Sequence, residues 1–405
     1  MSVNTLSACE KSTIKNKSLT MLLLTSLVLT IGNKVYEIVL PLMMYHLTSS
    51  PIAMTTMRTA ELLPNFLFGV FIGVLVDRVN KKKWVLTMTA IQAVLLFIMA
   101  FLFKTENTTM YLYYMIGFLL MTFNYGYFNA QVSITKLSVP TSQLTSANAK
   151  FNMIETMVSV MGPALSGLMF IFSDISNGIL FSGIAYMVCV VLLSQIQLSS
   201  EPLKPKEKFV NELEDGWKAF IGNEILWKVT IFIIFINCSM IVVSTTVIFF
   251  AMDELKLSSS MLAIVLSFSG IGGGLGSLYV SKLRMKYGIG AVLGFSFLLS
   301  ALAYLLLFSF PNVPILCLSL FVNGMSICFY VVTSYTIRHE QTPSHLIGRI
   351  AGITGTLYRV CMPIAMYFAG PAMVKWGSEA IFLTAAAWNI IIFLVYKWST
   401  IWGLK

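Results

Sequence analysis

The sequence predicts an all-α membrane protein with twelve transmembrane helices in two six-helix bundles. Three observations carry the prediction. Of the 405 residues 57% are hydrophobic and only 11% charged, with a mean hydropathy of +0.82. Soluble globular chains carry about 25% charged residues, so most of this surface does not face water. Twelve apolar segments follow one another, each near the ~20 residues a helix needs to cross the hydrocarbon core. The chain also repeats: a constant shift of 203 residues carries Gly69 onto Gly272, Gly73 onto Gly276, Pro140 onto Pro343 and Gly167 onto Gly370.

Residues 1–18 are polar and basic and read as a disordered cytoplasmic tail. Six segments follow at 19–46, 52–76, 84–103, 110–135, 148–172 and 177–197, making an N-terminal bundle over 19–198. A charged linker, 199–224, carries Pro202 and Pro205. Its later part, Phe209 to Phe220, has the pattern of an amphipathic helix lying on the membrane surface. Segments at 225–250, 260–281, 289–310, 313–336, 347–371 and 378–396 build a C-terminal bundle over 225–405. Both halves enter the membrane with the same orientation, which makes the repeat parallel.

The net charge of +10 does not imply nucleic acid, because its distribution follows the membrane. With the N-terminus inside, only Lys104, Lys256 and Lys375 fall in outer loops, and only Lys34, Arg58 and Arg359 within the interior of segments, Lys150, Lys228 and Arg349 lying at inner segment ends. All the other Lys and Arg residues lie on one side, so the positive-inside rule places both termini in the cytoplasm. Of the six cysteines, five lie in apolar segments, where Cys behaves as a small hydrophobe, and none suggests a disulfide framework.

The junction between segments 2 and 3 reads GVFIGVLVDRVNKKK. Gly69 and Gly73 are spaced for close helix approach. Asp77 follows where it can accept from a neighbouring helix N-terminus, and Arg78, Lys81, Lys82 and Lys83 crowd the turn with positive charge. This stretch resembles the signature loop of the major facilitator superfamily. A second resemblance runs from Tyr125 to Phe170, through Pro140, Ala147-Asn148 and the fifth-segment motif Gly162, Pro163, Ala164 and Gly167. It is similar to the branch of that family holding macrolide-efflux and siderophore-export proteins.

The resemblance implies a conformational latch at Gly69 to Lys83, and a central site between segments 1, 4 and 5 and their counterparts 7, 10 and 11. It also implies proton-driven export of an amphipathic small molecule such as a drug, antibiotic or siderophore. Two departures stand out. The second-half loop, GSLYVSKLRMKYG, lacks the Asp, so the latch is asymmetric. The Arg that many proton antiporters of the family carry in segment 4 is absent from Leu119 to Gln131, so proton coupling falls to another group.

Ionisable residues within the membrane mark partners or pathways. Segment 1 holds Lys34 and Glu37, and segment 2 holds Arg58 and Glu61, each pair spaced to share a helix face. They are expected to form a local network, serving either as a clamp between the two segments or as a site where a carboxyl exchanges a proton or a cation contacts substrate. Glu155 and Arg359, expected inside segment 5 and near the middle of segment 11, have no partner within a turn of their own helix and point to a pathway. Asn33, Asn124, Tyr125, Tyr127, Asn129 and Gln131 are candidates to line the cavity.

No metal-ligand spacing, nucleophile constellation or cofactor motif is present, and the three histidines lie near segment ends or in loops. GIGGGLGS from Gly270 lacks the preceding strand and following Lys-Ser/Thr of a nucleotide loop, so close helix packing is the expectation. The expected protein is a monomeric, non-enzymatic transporter of the bacterial plasma membrane with protons as coupling ion. The alternatives are an importer or flippase of a lipid-like or nutrient substrate and, further off, a membrane-embedded enzyme.

Overall fold

The computed structural model describes residues 3–139, 175–196, 209–343 and 346–405, with short pieces between 146 and 158. Segment 5 beyond those pieces, with Gly162, Pro163 and Gly167, lies outside the described residues, as do Pro140 and Asn148.

Four helices open the chain: α1 (Val3–Thr48), α2 (Pro51–Arg78), α3 (Lys81–Lys104) and α4 (Met110–Ser138). α1 runs without a break from Val3 into the membrane span, so the stretch expected as a tail is helical from Val3. The first glycine of the sequence is Gly32 and its first proline Pro41, so nothing in residues 3–18 stops a helix that the span already nucleates. Pro51 occupies the first turn of α2, where its missing N–H costs nothing, and Ser50 caps that turn from Oγ to the Ala53 N–H. Asn80 caps α3 through the Lys83 N–H at 3.0 Å.

The first half closes with α5 (Ile175–Ser194), the sixth span. The amphipathic linker helix follows as α6 (Phe209–Gly222). It buries Phe220 against Leu226, Leu346, Ile350 and Ile353 and leaves Trp217 and Ile221 exposed, the arrangement of a helix seated at a membrane interface.

The second half contains α7 (Glu224–Phe249), a π-helical turn (Phe250–Glu254), α8 (Ser259–Tyr287), α9 (Ile289–Ser309) and α10 (Val313–Glu340). Segment 11 departs from expectation, being two helices rather than one. The first, α11 (Ile347–Leu357), ends in a turn at residues 358–361, and α12 (Met362–Lys397) then resumes the span. α12 bends sharply at Gly377, where φ is +77°. Only glycine adopts that backbone freely, so the bend divides the eleventh span from the twelfth.

Among the described residues, eight stretches are long and apolar enough to cross a membrane. The last of them, Arg349–Lys397, contains the eleventh and twelfth spans. Close glycine crossings fix the helix pairs. A Cβ on Gly324 of α10 would lie 1.9 Å from the Ser269 carbonyl oxygen, and one on Gly272 of α8 would lie 1.9 Å from that of Phe321. The glycine-rich stretch at Gly270 is therefore a backbone-to-backbone contact of α8 with α10. In the first half Gly117 of α4 meets the end of Met57 of α2, and Gly178 of α5 meets Val39 of α1.

The C-terminus forms a strap. A 3₁₀ turn (Thr400–Gly403) buries Ile401, and the Gly290 N–H donates to the Leu404 carbonyl at 3.1 Å.

Candidate functional site

The two intramembrane pairs meet where α1 and α2 pack, and they do so unequally. Lys34 and Glu37 form an ion pair at 2.6 Å with 28% and 38% of their side-chain surface open. Arg58 and Glu61 pair at 3.0 Å with only 10% and 3% open. The remaining amino group of Arg58 donates to the backbone carbonyl of Glu37. The buried pair thus anchors the α1 backbone at the point from which Glu37 projects. Around it, the Tyr36 hydroxyl, Arg58 Nε, Glu61 Oε1 and Asn65 Nδ2 are buried without a hydrogen-bond partner among the described residues.

Glu37 lies within electrostatic reach of Lys34 and Arg58 in its own bundle and of Arg359 from the other. Arg359 falls in the break between α11 and α12, where no helix constrains it. Its guanidinium carbon stands 5.8 Å from the centre of the Tyr125 ring of α4, a cation–π distance, and Tyr335 of α10 and Glu155 lie within electrostatic reach of it. The Tyr335 hydroxyl donates to Glu155 Oε1 at 3.4 Å. Arg359 and Glu155 are both exposed, so the groups that reach across the bundles line an open cleft.

The break is held in place by residues that the sequence reading missed. Asn237 Nδ2 of α7 donates to the Tyr358 carbonyl at 3.0 Å, and the Tyr330 hydroxyl donates to Asn237 Oδ1 at 2.7 Å. The 203-residue shift carried the signal: it places Asn237 opposite Lys34 and Tyr330 opposite Tyr127.

The six cavity candidates divide. Asn124, Tyr127 and Gln131 are buried within the N-terminal bundle, because their three- and four-residue spacing puts them on one inward face of α4. Tyr125 and Asn129 lie on another face, with Asn129 Nδ2 donating to the Tyr125 carbonyl at 2.8 Å. Asn33 accepts from the Tyr186 hydroxyl of α5, which makes it a tie between two helices of one bundle.

In the latch stretch the α2 backbone reaches Arg78, but the side chains of Gly69, Gly73, Asp77 and Arg78 lie outside the described residues. Lys82 Nζ donates to the Ser194 carbonyl, the C-terminus of α5, at 2.8 Å, the favourable end of a helix for a cation.

At the face opposite the termini the bundles touch. The Tyr45 hydroxyl of α1 donates to Asp253 Oδ1 of the π-helical turn at 3.1 Å. The Tyr45 ring meets Phe249 edge-on at 5.9 Å. Gly370 of α12 sits so close to α2 that a Cβ would lie 2.2 Å from Thr55 Oγ1 and 3.1 Å from the Ile52 Cα. These contacts hold the described parts of the two bundles together at that face. Among the described residues no group of three or more His, Cys, Asp or Glu side chains could hold a metal ion.

Comparison with known proteins agrees with this architecture. The chain is 24% identical over 317 residues to a Bacillus subtilis protein named as a bacilysin exporter, BacE, covering 74% of this chain and 75% of that one. It is 22% identical over 368 residues to macrolide efflux protein A of Streptococcus pyogenes, covering 86% and 87%. Among solved structures, the nucleoside transporter NupG matches with a TM-score of 0.72 at 13% identity, over 96% of this chain and all of that one. A bacterial homologue of the lysosomal transporter Spinster, solved in an inward-facing and unoccupied conformation, matches with a TM-score of 0.70 at 14% identity, over 95% and 96%. The sequence pattern of the Major Facilitator Superfamily matches residues 22–283 and 236–400, and the chain is a multi-pass membrane transporter belonging to that superfamily.

Proposed function

We propose that the chain is a proton-driven exporter of an amphipathic small molecule, a drug, antibiotic or siderophore, working as a monomer by alternating access. In this reading it sits in a bacterial plasma membrane with both termini cytoplasmic. The bundles 19–198 and 225–405 rock about the cleft, joined by the linker 199–224. The observation that carries the reading is the group of charged and aromatic side chains that meet across the bundles, with Tyr125 against Arg359 and Glu155 against Tyr335, and Glu37 within electrostatic reach of Arg359. A transporter of this kind needs a site whose surroundings change when the bundles move, and these residues come from both. The names of the relatives, a bacilysin exporter and a macrolide efflux protein, support export.

Glu37 is the coupling carboxylate in this reading. It is open to the cleft while Glu61 is buried against Arg58, and Arg359 reaches it only while the bundles are together on its side. Gly69, Gly73, Asp77, Arg78 and Lys81 to Lys83 form the latch. The test is accumulation of fluorescent dyes and macrolides in a pump-deficient bacterium expressing wild type, Asp77→Asn or Glu37→Gln, with and without a protonophore. Lower accumulation with wild type, lost with the protonophore and with either variant at equal expression, supports the reading. A broad panel in which nothing is expelled refutes it, and raised accumulation indicates import instead.

A further inference from the structure

The charges on the cleft do not cancel locally. Lys34 and Glu37 neutralise each other at 2.6 Å. Arg359 has no carboxylate within ion-pair distance among the described residues, and its nearest recorded partner is the Tyr125 ring. Among the described residues, the recorded hydrogen bond to Glu155 is the long contact from Tyr335. A guanidinium and a carboxylate thus stand exposed on opposite bundles. They are within electrostatic reach of one another, with Tyr125 against the guanidinium and Tyr335 against the carboxylate.

A guanidinium offers a planar pair of N–H donors that matches a carboxylate, and a lone carboxylate on a cleft wall matches an ammonium. Tyr125 and Tyr335 between them supply flat apolar faces with polar edges. A purely cationic cargo would satisfy Glu155 and leave Arg359 facing a like charge. A purely anionic one would do the reverse at Glu155. Only a molecule carrying both signs leaves neither group unpaired in a site that water must leave when the cleft closes.

We propose that the transported molecule is a zwitterion, its carboxylate or equally acidic group bound by Arg359 and its amine by Glu155, so that one molecule ties the two bundles together. The assignment rests on the reading that this cleft is the transport site. It narrows the cargo from any amphipathic compound to one with an acidic and a basic end joined by an apolar body.

Calorimetric titration of the purified full-length protein in detergent tests it with three probes on one scaffold. These are the dipeptide phenylalanyl-alanine, its C-terminal amide and its N-acetyl derivative. The expected result is binding of the dipeptide at least tenfold tighter than either capped form. Arg359→Gln should erase the preference over the amide and Glu155→Gln the preference over the acetylated form, while Arg359→Lys keeps part of it. Unliganded melting within a few degrees of wild type shows that each variant is folded. Equal binding of all three probes, tighter binding of the amide, or no binding of any overturns the proposal. The two readings separate against the cell assay. Macrolide export without this pattern leaves export standing and removes the zwitterion. The pattern without export keeps the site and removes the direction of transport.

Discussion

The Tyr45 hydroxyl donates to the Asp253 carboxylate across the two bundles, 3.1 Å apart and 208 positions apart in the chain. The acceptor projects from the π-helical turn Phe250–Glu254, a local widening that re-aims a side chain at the end of a helix. The contact is small, partly open to solvent and made at the rim, which in the alternating-access reading suits a closure that comes apart.

Removing it should favour the opposite state. A hydrogen bond to a charged group contributes about 1.5–3 kcal/mol when shielded. With Asp253 37% open, we expect about 0.5–1 kcal/mol after screening, a two- to fivefold change in populations. Electron–electron distance measurements between spin labels at Thr108 and Pro311, in the loops of that face, should show a longer component growing in Tyr45→Phe. An unchanged distance distribution would mean that the ring contact with Phe249 and the Gly370–Thr55 approach hold the face closed without the hydrogen bond.

The α8–α10 crossing predicts a sharp contrast between neighbouring glycines. Gly272→Ala and Gly324→Ala each drive a methyl into a backbone carbonyl, and overpacking of this kind costs about 1–3 kcal/mol. Gly274→Ala meets nothing within 4 Å and should melt like wild type. Melting curves of the purified proteins decide it: equal curves for all three would remove the close crossing.

Glu61 lies buried beside Arg58, so deleting one partner strands the other. Glu61→Gln should destabilise by about 3–5 kcal/mol, with Arg58→Met plus Glu61→Leu recovering most of that loss. The yield of monodisperse protein and its melting temperature report both. A double variant no better than the single one would show that the Arg58 bond to the Glu37 carbonyl matters more than the pair.

Asn237→Ala frees the Tyr358 carbonyl and the Tyr330 hydroxyl next to the break that carries Arg359. The two stranded groups should cost about 1–3 kcal/mol. Transport should fall severalfold at equal expression, because Arg359 loses its fixed origin. Wild-type transport in the variant would show that the break is held by its helices alone.

How much of this was legible in the sequence follows from where the physical signal is strong. Hydrophobic runs of bilayer length are unambiguous, and most span limits fall within a few residues of the helices found, as at Ile289–Ser309. The shift from Gly69 to Gly272 carried the architecture. Individual side chains were less legible. Arg359 was expected mid-helix, but the turn at 358–361 has no proline before Pro363 to announce it. Its stabiliser, Asn237, sits 122 positions away; the repeat singles it out as the counterpart of Lys34, but its bond to the Tyr358 carbonyl exists only once α7 and α11 are packed. Asn124 and Gln131 looked like cavity residues because they are polar, whereas the helical register turns them inwards.

The strap at the C-terminus bears on how the protein is handled. Leu404 receives the Gly290 N–H, and a Cβ on Gly288, where φ is +87°, would lie 2.5 Å from the Leu404 carbonyl oxygen. A purification tag or fluorescent reporter joined directly to Lys405 would therefore pull on the turn between α8 and α9. A flexible spacer of several residues, or a tag at the other terminus, would leave that anchor seated.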